Sequence, residues 1–98
     1  MDLIIKNKNN YYFLEAKHIN TAGGAQNKQI KELVDNLKYK GNINIHFVSF
    51  LDGVYFNWIF AATHKNTKLY NQRKDIYSAL KDHQYSYFIN TAGFNKMF

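Results

Sequence analysis

The chain opens with a short apolar run, Leu3-Ile4-Ile5. It breaks at Lys6-Asn7-Lys8-Asn9-Asn10 and turns apolar again over Tyr11-Tyr12-Phe13-Leu14-Glu15-Ala16-Lys17. Two such runs around a turn-prone break predict a β-hairpin, with strands over 2–5 and 11–17, the second extending as far as Ile19. Thr21-Ala22-Gly23-Gly24 interrupts the pattern. Beyond it, Ile30, Leu33, Val34 and Leu37 recur at i, i+3, i+4 and i+7, with Lys28, Lys31, Glu32, Asp35 and Lys38 on other faces. That period predicts an amphipathic helix, ended at Lys40-Gly41-Asn42.

Residues 43–51 start with alternation and finish almost wholly apolar, as a central strand does, and Asp52-Gly53 signals a turn. Residues 54–62 fit strand and helix equally well. Residues 63–71 are polar and predict a loop, 75–81 a short helix with Ile76, Ala79 and Leu80 inward, and 85–89 a last strand. The expected fold class is α/β (α+β mixed): a small mixed four-stranded sheet flanked by helices, in one domain over 1–98. Ile19-Asn20-Thr21-Ala22-Gly23 recurs as Ile89-Asn90-Thr91-Ala92-Gly93. Five residues do not define a structural repeat, and two similar strand exits account for them.

Composition narrows the chemistry. With 98 residues, 46% hydrophobic and 17% aromatic, the chain can form one modest core and is not expected to be disordered. It has no cysteine, which excludes disulfides, thiolate metal sites and a cysteine nucleophile. No basic segment precedes a long apolar run, so no signal peptide is expected. The longest apolar stretch, 54–62, contains Asn57 and is too short to span a bilayer. The expectation is a cytoplasmic protein with no membrane partner. Thirteen basic residues against seven acidic give a net charge of +6. Such a balance favours a polyanionic partner, chiefly nucleic acid, although the lysines are dispersed and solubility alone also accounts for them.

The candidate chemistry lies in the hairpin. Period-2 alternation places Glu15 and Lys17 on one face of the second strand. If 2–5 is the neighbouring strand, Asp2 comes alongside them. Asp2 and Glu15 would supply two carboxylates to Mg²⁺, and the Ala16 carbonyl a third oxygen, since that hard ion takes oxygen ligands and keeps water. Lys17 would orient the attacking water or stabilise charge developing on a phosphate; a base role would require a lowered pKa. A solvent-facing Glu–Lys pair on an ordinary hairpin is the structural alternative. His18 follows the pair and is a candidate DNA contact. Lys28 and Lys31 are candidates for phosphate, or for a solvated helix face.

The order Asp2, twelve residues, Glu15-Ala16-Lys17, then Gly23-Gly24, Gln26 and a helix resembles the PD-(D/E)xK nuclease superfamily. The run from Phe13 to Ile30 is similar to the catalytic part of some type II restriction endonucleases. The resemblance implies catalytic roles for Asp2, Glu15 and Lys17, with Mg²⁺ held by the acids and water assisted by the lysine. It implies that Gln26 and Gln29, at the start of the following helix, help position water or substrate. It further implies a restriction-endonuclease-like fold in which a helix and first strand precede the motif. On this resemblance the sequence from Met1 onward is expected to be without both, and Met1 stands where the family often has proline. The expected activity is Mg²⁺-dependent hydrolysis of double-stranded DNA, by a homodimer or with a missing domain of a larger chain. An inactive nucleic-acid-binding remnant and a small protein-interaction domain are the alternatives.

Overall fold

The computed structural model describes residues 2–21, 26–62 and 67–98. Its elements run β1 (Leu3–Asn7), β2 (Asn10–His18), α1 (Gln26–Leu37), β3 (Ile45–Asp52), α2 (Tyr55–Ala61), α3 (Lys68–Asp82), β4 (Ser86–Ile89) and α4 (Thr91–Met97). The four strands form one mixed sheet in the order β1-β2-β3-β4. β1 and β2 are the antiparallel hairpin, whereas β2, β3 and β4 are mutually parallel. Parallel neighbours need crossovers, and the helices supply them: α1 joins β2 to β3, and α2 with α3 joins β3 to β4.

Alternation along β3 decides what each sheet face meets. Ser49 and Leu51 face α1: the Ser49 hydroxyl donates to the Leu33 carbonyl at 2.5 Å, and Leu51 belongs to the main core. That core gathers Ile30, Leu33, Val34 and Leu37 of α1, Tyr55 and Ile59 of α2, Ile76 and Ala79 of α3, and Ile19. Two further buried polar groups tie α1 to the sheet. Asn36 donates to the Val48 carbonyl at 3.1 Å, and Ser86 of β4 donates to the Leu37 carbonyl at 2.8 Å. Phe50 lies on the opposite face, where it meets Phe94 of α4 edge-on at 5.1 Å. The aromatic contacts continue from Phe94 to Phe98, then to Tyr12, and Tyr12 stacks on His46.

The predicted hairpin, first helix, central strand and last strand are present, with shifted ends. The turn narrows to Lys8 and Asn9, because Asn7 pairs with Asn10. Residues 54–62, open between strand and helix, contain the helix α2; Tyr55 and Ile59 recur at i, i+4 and are buried in the core. Two expectations are corrected. Residues 68–71 belong not to a loop but to α3, whose start is fixed by Thr67, its side chain accepting from the Tyr70 amide at 3.1 Å. α4 was not foreseen; the Asn90 side chain accepts from the Gly93 amide and caps it. The Gly23-Gly24 break, residues 63–66 including His64, and Met1 lie outside the described residues.

Two turns hold left-handed backbone: Lys8 at φ 58° and Gly53 at φ 97°. Glycine adopts this region freely, whereas a side-chain-bearing residue does so at a cost. A Cβ at Gly53 would also collide with the Ile19 carbonyl. Opposite outcomes are expected in urea titrations. Gly53→Ala should lower stability by about 1–3 kcal/mol, and Lys8→Gly should raise it by up to about 1 kcal/mol.

Candidate functional site

The hairpin register brings the motif residues together. Leu3 pairs with Leu14, so Asp2 stands opposite Glu15, just beyond the start of β1. The Asp2 amide donates to the Leu14 carbonyl at 2.7 Å. One Asp2 carboxylate oxygen, Oδ2, accepts from the Ala16 amide at 2.8 Å. In a strand the amide and carbonyl of one residue point to the same side, so the Ala16 carbonyl also opens beside Asp2.

Glu15 and Lys17 share the face that α1 covers, because their β3 partners are Ser49 and Leu51. The Lys17 ammonium lies 3.9 Å from Glu15 Oε1 and 2.6 Å from Glu32 Oε2 on α1. Glu32 thus joins the cluster from a second element. Sequence periodicity sets it on the polar side of the helix, and its only signal is a long acidic side chain on the helix following the Glu-x-Lys strand.

Electrostatics fix the state of Lys17. Its pKa is raised, first by the hydrogen bond to Glu32 and then by the charges of Glu32, Glu15 and Asp2, against an opposing contribution from burial. Glu32 is correspondingly held below the ordinary carboxylate range by its bond to Lys17. Lys17 is therefore an ammonium, suited to attracting a phosphate and donating hydrogen bonds. It is not a proton acceptor at neutral pH. Among the described residues no three His, Asp or Glu side chains are grouped to hold a metal ion. Asp2 and Glu15 nevertheless offer the oxygen donors that Mg²⁺ takes, and one or two carboxylates with waters and substrate phosphate form its usual set.

The other candidate contacts are scattered around α1. Gln26 is buried; its amide nitrogen donates to the Thr21 carbonyl at 2.8 Å, and its oxygen faces the Lys68 ammonium at 3.5 Å. Lys28 is exposed and Gln29 half-buried. Lys31 is exposed and paired with Asp35 at 2.9 Å.

His18 points to the opposite face from Lys17 and enters a second polar cluster, where the parallel strands end. Its Nδ1 lies 2.9 Å from Asp52 Oδ2, and its Nε2 lies 2.8 Å from the Asn20 amide nitrogen. A neutral ring protonated on Nδ1 satisfies both, donating to Asp52 and accepting from Asn20. Asp52 also accepts from the Thr91 hydroxyl at 2.7 Å and the Gly53 amide at 2.9 Å. Asn20 and Asn90, the matching residues of the short repetition, both follow strands of this parallel set. Asn20 accepts from the Val54 amide and Asn90 from the Gly93 amide.

His46 is packed, stacked on Tyr12 with Nε2 3.2 Å from the Ile43 carbonyl, and His83 Nδ1 lies 2.7 Å from the Ala79 carbonyl. Among the described residues no helix is long and apolar enough to cross a membrane. Comparison with family models, curated proteins and solved structures finds no significant match.

Two measurements test this electrostatic picture. In ¹⁵N-resolved NMR the Lys17 side chain should titrate above the ordinary lysine value, and in Glu32→Gln its midpoint should move down. For Asp52, the bonds from Thr91, His18 and Gly53 depress the folded pKa. Its contribution to stability is therefore complete above the unfolded carboxylate pKa and is lost as pH falls through the folded value. Acid denaturation should accordingly show a smaller loss of stability below about pH 4 in Asp52→Asn than in wild type. Equal acid profiles would contradict the strand-end role of this carboxylate.

Proposed function

We propose that this protein hydrolyses DNA phosphodiester bonds with the help of Mg²⁺, as a small nuclease core of the PD-(D/E)xK kind with a restriction-endonuclease-like arrangement. The observation that carries the reading is the juxtaposition of Asp2 and Glu15 across β1 and β2, with Lys17 on the same face and held as an ammonium. A mixed sheet whose Glu-x-Lys strand is central and is followed by a helix packed on that face adds support.

Asp2, Glu15 and the Ala16 carbonyl would hold the cation. Once bound, it would polarise a phosphate oxygen and lower the pKa of a bound water. Lys17 contributes a fixed positive charge toward the phosphate as negative charge builds on it. Glu32 keeps that ammonium in place and protonated. In-line attack of water on phosphorus would form a new P–O bond and break the bond to the 3′ oxygen, one water proton passing through solvent to that oxygen, so that the products are a 5′-phosphate and a 3′-hydroxyl. Cutting both strands requires two such centres, so a homodimer or a larger chain belongs to this reading.

A second reading, an inactive nucleic-acid-binding module, is favoured by one observation. Glu32 engages Lys17 at 2.6 Å, which leaves two carboxylates rather than three for a cation. Supercoiled plasmid incubated with the protein and Mg²⁺ or Mn²⁺ separates the two. Nicking that EDTA stops, and that falls by about 10²–10³-fold in Lys17→Ala, is the expected result. Salt-sensitive binding without nicking would replace the nuclease with the binding module. Absence of both would sink the two readings together.

A further inference from the structure

The outward side of α3 carries an arrangement that lies apart from the Asp2–Glu15–Lys17 cluster. Tyr70, Lys74, Tyr77 and Lys81 follow one another at spacings of four, three and four residues. Such spacing stacks side chains along one side of a helix. Aromatic ring and ammonium therefore alternate over about 16 Å of helix axis. Arg73 adjoins them, its guanidinium over the Tyr70 ring at 5.2 Å while it donates to the Phe60 carbonyl. With Ser78 these side chains line a shallow depression of about 440 Å³.

The charges of α3 are sorted by face. Asp75 and Asp82 line the groove toward α1, with Lys31, Asp35 and Lys38. Among the described residues no acidic side chain lines the outward depression. Among the described residues neither Lys74 nor Lys81 has an ion-pair partner. Tyr77 is 55% exposed, although its ring lies tilted against that of Phe60 at 5.8 Å.

We infer that this α3 stripe is a docking surface for the phosphate backbone of nucleic acid. Its charge is uncompensated and of one sign, the electrostatic complement of a row of phosphates. The interleaved tyrosines supply hydroxyl donors for phosphate and rings on which a sugar or base can rest. A membrane surface fits less well. Lying in a bilayer interface requires a free apolar face, whereas Ile76 and Ala79 of this helix are buried in the core and Leu69 and Leu80 pack against it. The surface does not rest on the nuclease reading, since it needs neither the metal nor Lys17.

The test is fluorescence anisotropy with a labelled 20-base-pair duplex in EDTA, which keeps binding separate from cleavage. Lys74→Glu/Lys81→Glu is compared with Lys6→Glu/Lys96→Glu, which carries the same net charge but changes the hairpin and α4. Circular dichroism confirms that both are folded. The stripe variant should lose at least about tenfold in affinity, and its slope of log K against log salt should shrink by about two. The control should lose less than about threefold. Equal weakening in the two variants would reduce the effect to overall charge and overturn the proposal, as would a wild-type protein that does not bind the duplex. Binding to phosphatidylserine vesicles, lost in the stripe variant while duplex binding persists, would assign the surface to a membrane instead.

Discussion

The parallel pairing of β2 with β3 is the constraint on which the rest of the structure depends. It runs over eight residue pairs, from Tyr11 with Ile45 to His18 with Asp52. Side chains pin its register on both faces. Leu14 and Val48 are buried as partners, Phe13 stacks on Phe47 at 5.3 Å, Tyr12 stacks on His46, and His18 closes the ladder on Asp52. A slip of one residue would exchange the faces of β2. Glu15 and Lys17 would then leave α1 and Glu32, and Leu14 would be driven into the polar cluster. The hairpin partner β1 reads its own register from β2, so the position of Asp2 depends on the same ladder.

Consecutive residues at the end of β2 serve opposite faces. Lys17 enters a cluster bounded by Asp2, Glu15 and Glu32, while His18 joins Asp52, Asn20 and Thr91 on the other side. The two clusters differ in kind. Around Lys17 one ammonium meets the carboxylates of Glu32 and Glu15, with the charge of Asp2 adding a smaller contribution. Asp52 meets His18 at the end of β2, its own neighbour Gly53 and Thr91 at the start of α4, and the carboxylate is satisfied within the protein. The first cluster joins β2 to α1 through charge, and saturation suits the second to holding β2, β3 and α4 together.

Much of this fold was legible in the sequence where burial imposes a period. The i, i+3, i+4, i+7 run of α1 and the apolar strand β3 are both set by the core, and both were read directly. The shared face of Glu15 and Lys17 follows from strand alternation, and the place of Asp2 beside them from the hairpin pairing. Other features were obscured for identifiable reasons. α2 is only seven residues long, and its aromatic run, Tyr55 to Phe60, satisfies a strand pattern until the buried pair Tyr55 and Ile59 is known. The first turn of α3 holds one apolar residue, Leu69, so its start depends on the Thr67 cap rather than on periodicity. α4 carries Gly93 within it and buries none of its residues. Glu32 required the distance between α1 and β2, which no single-sequence pattern contains.

The same limit applies to charge. Along the chain the thirteen basic residues look dispersed, with no block that suggests a surface. Folding changes their distribution because the seven acidic residues are unevenly placed. Asp2, Glu15 and Glu32 gather at Lys17, Asp35 pairs with Lys31, Asp52 is held at the strand ends, and Asp75 and Asp82 line the groove beside α1. Every carboxylate is thus drawn toward the sheet or α1, and the outward side of α3 keeps its cations without compensation. A field that is weak when averaged over the whole surface becomes local. Its strength at α3 follows from where the acids went rather than from how many bases the chain contains.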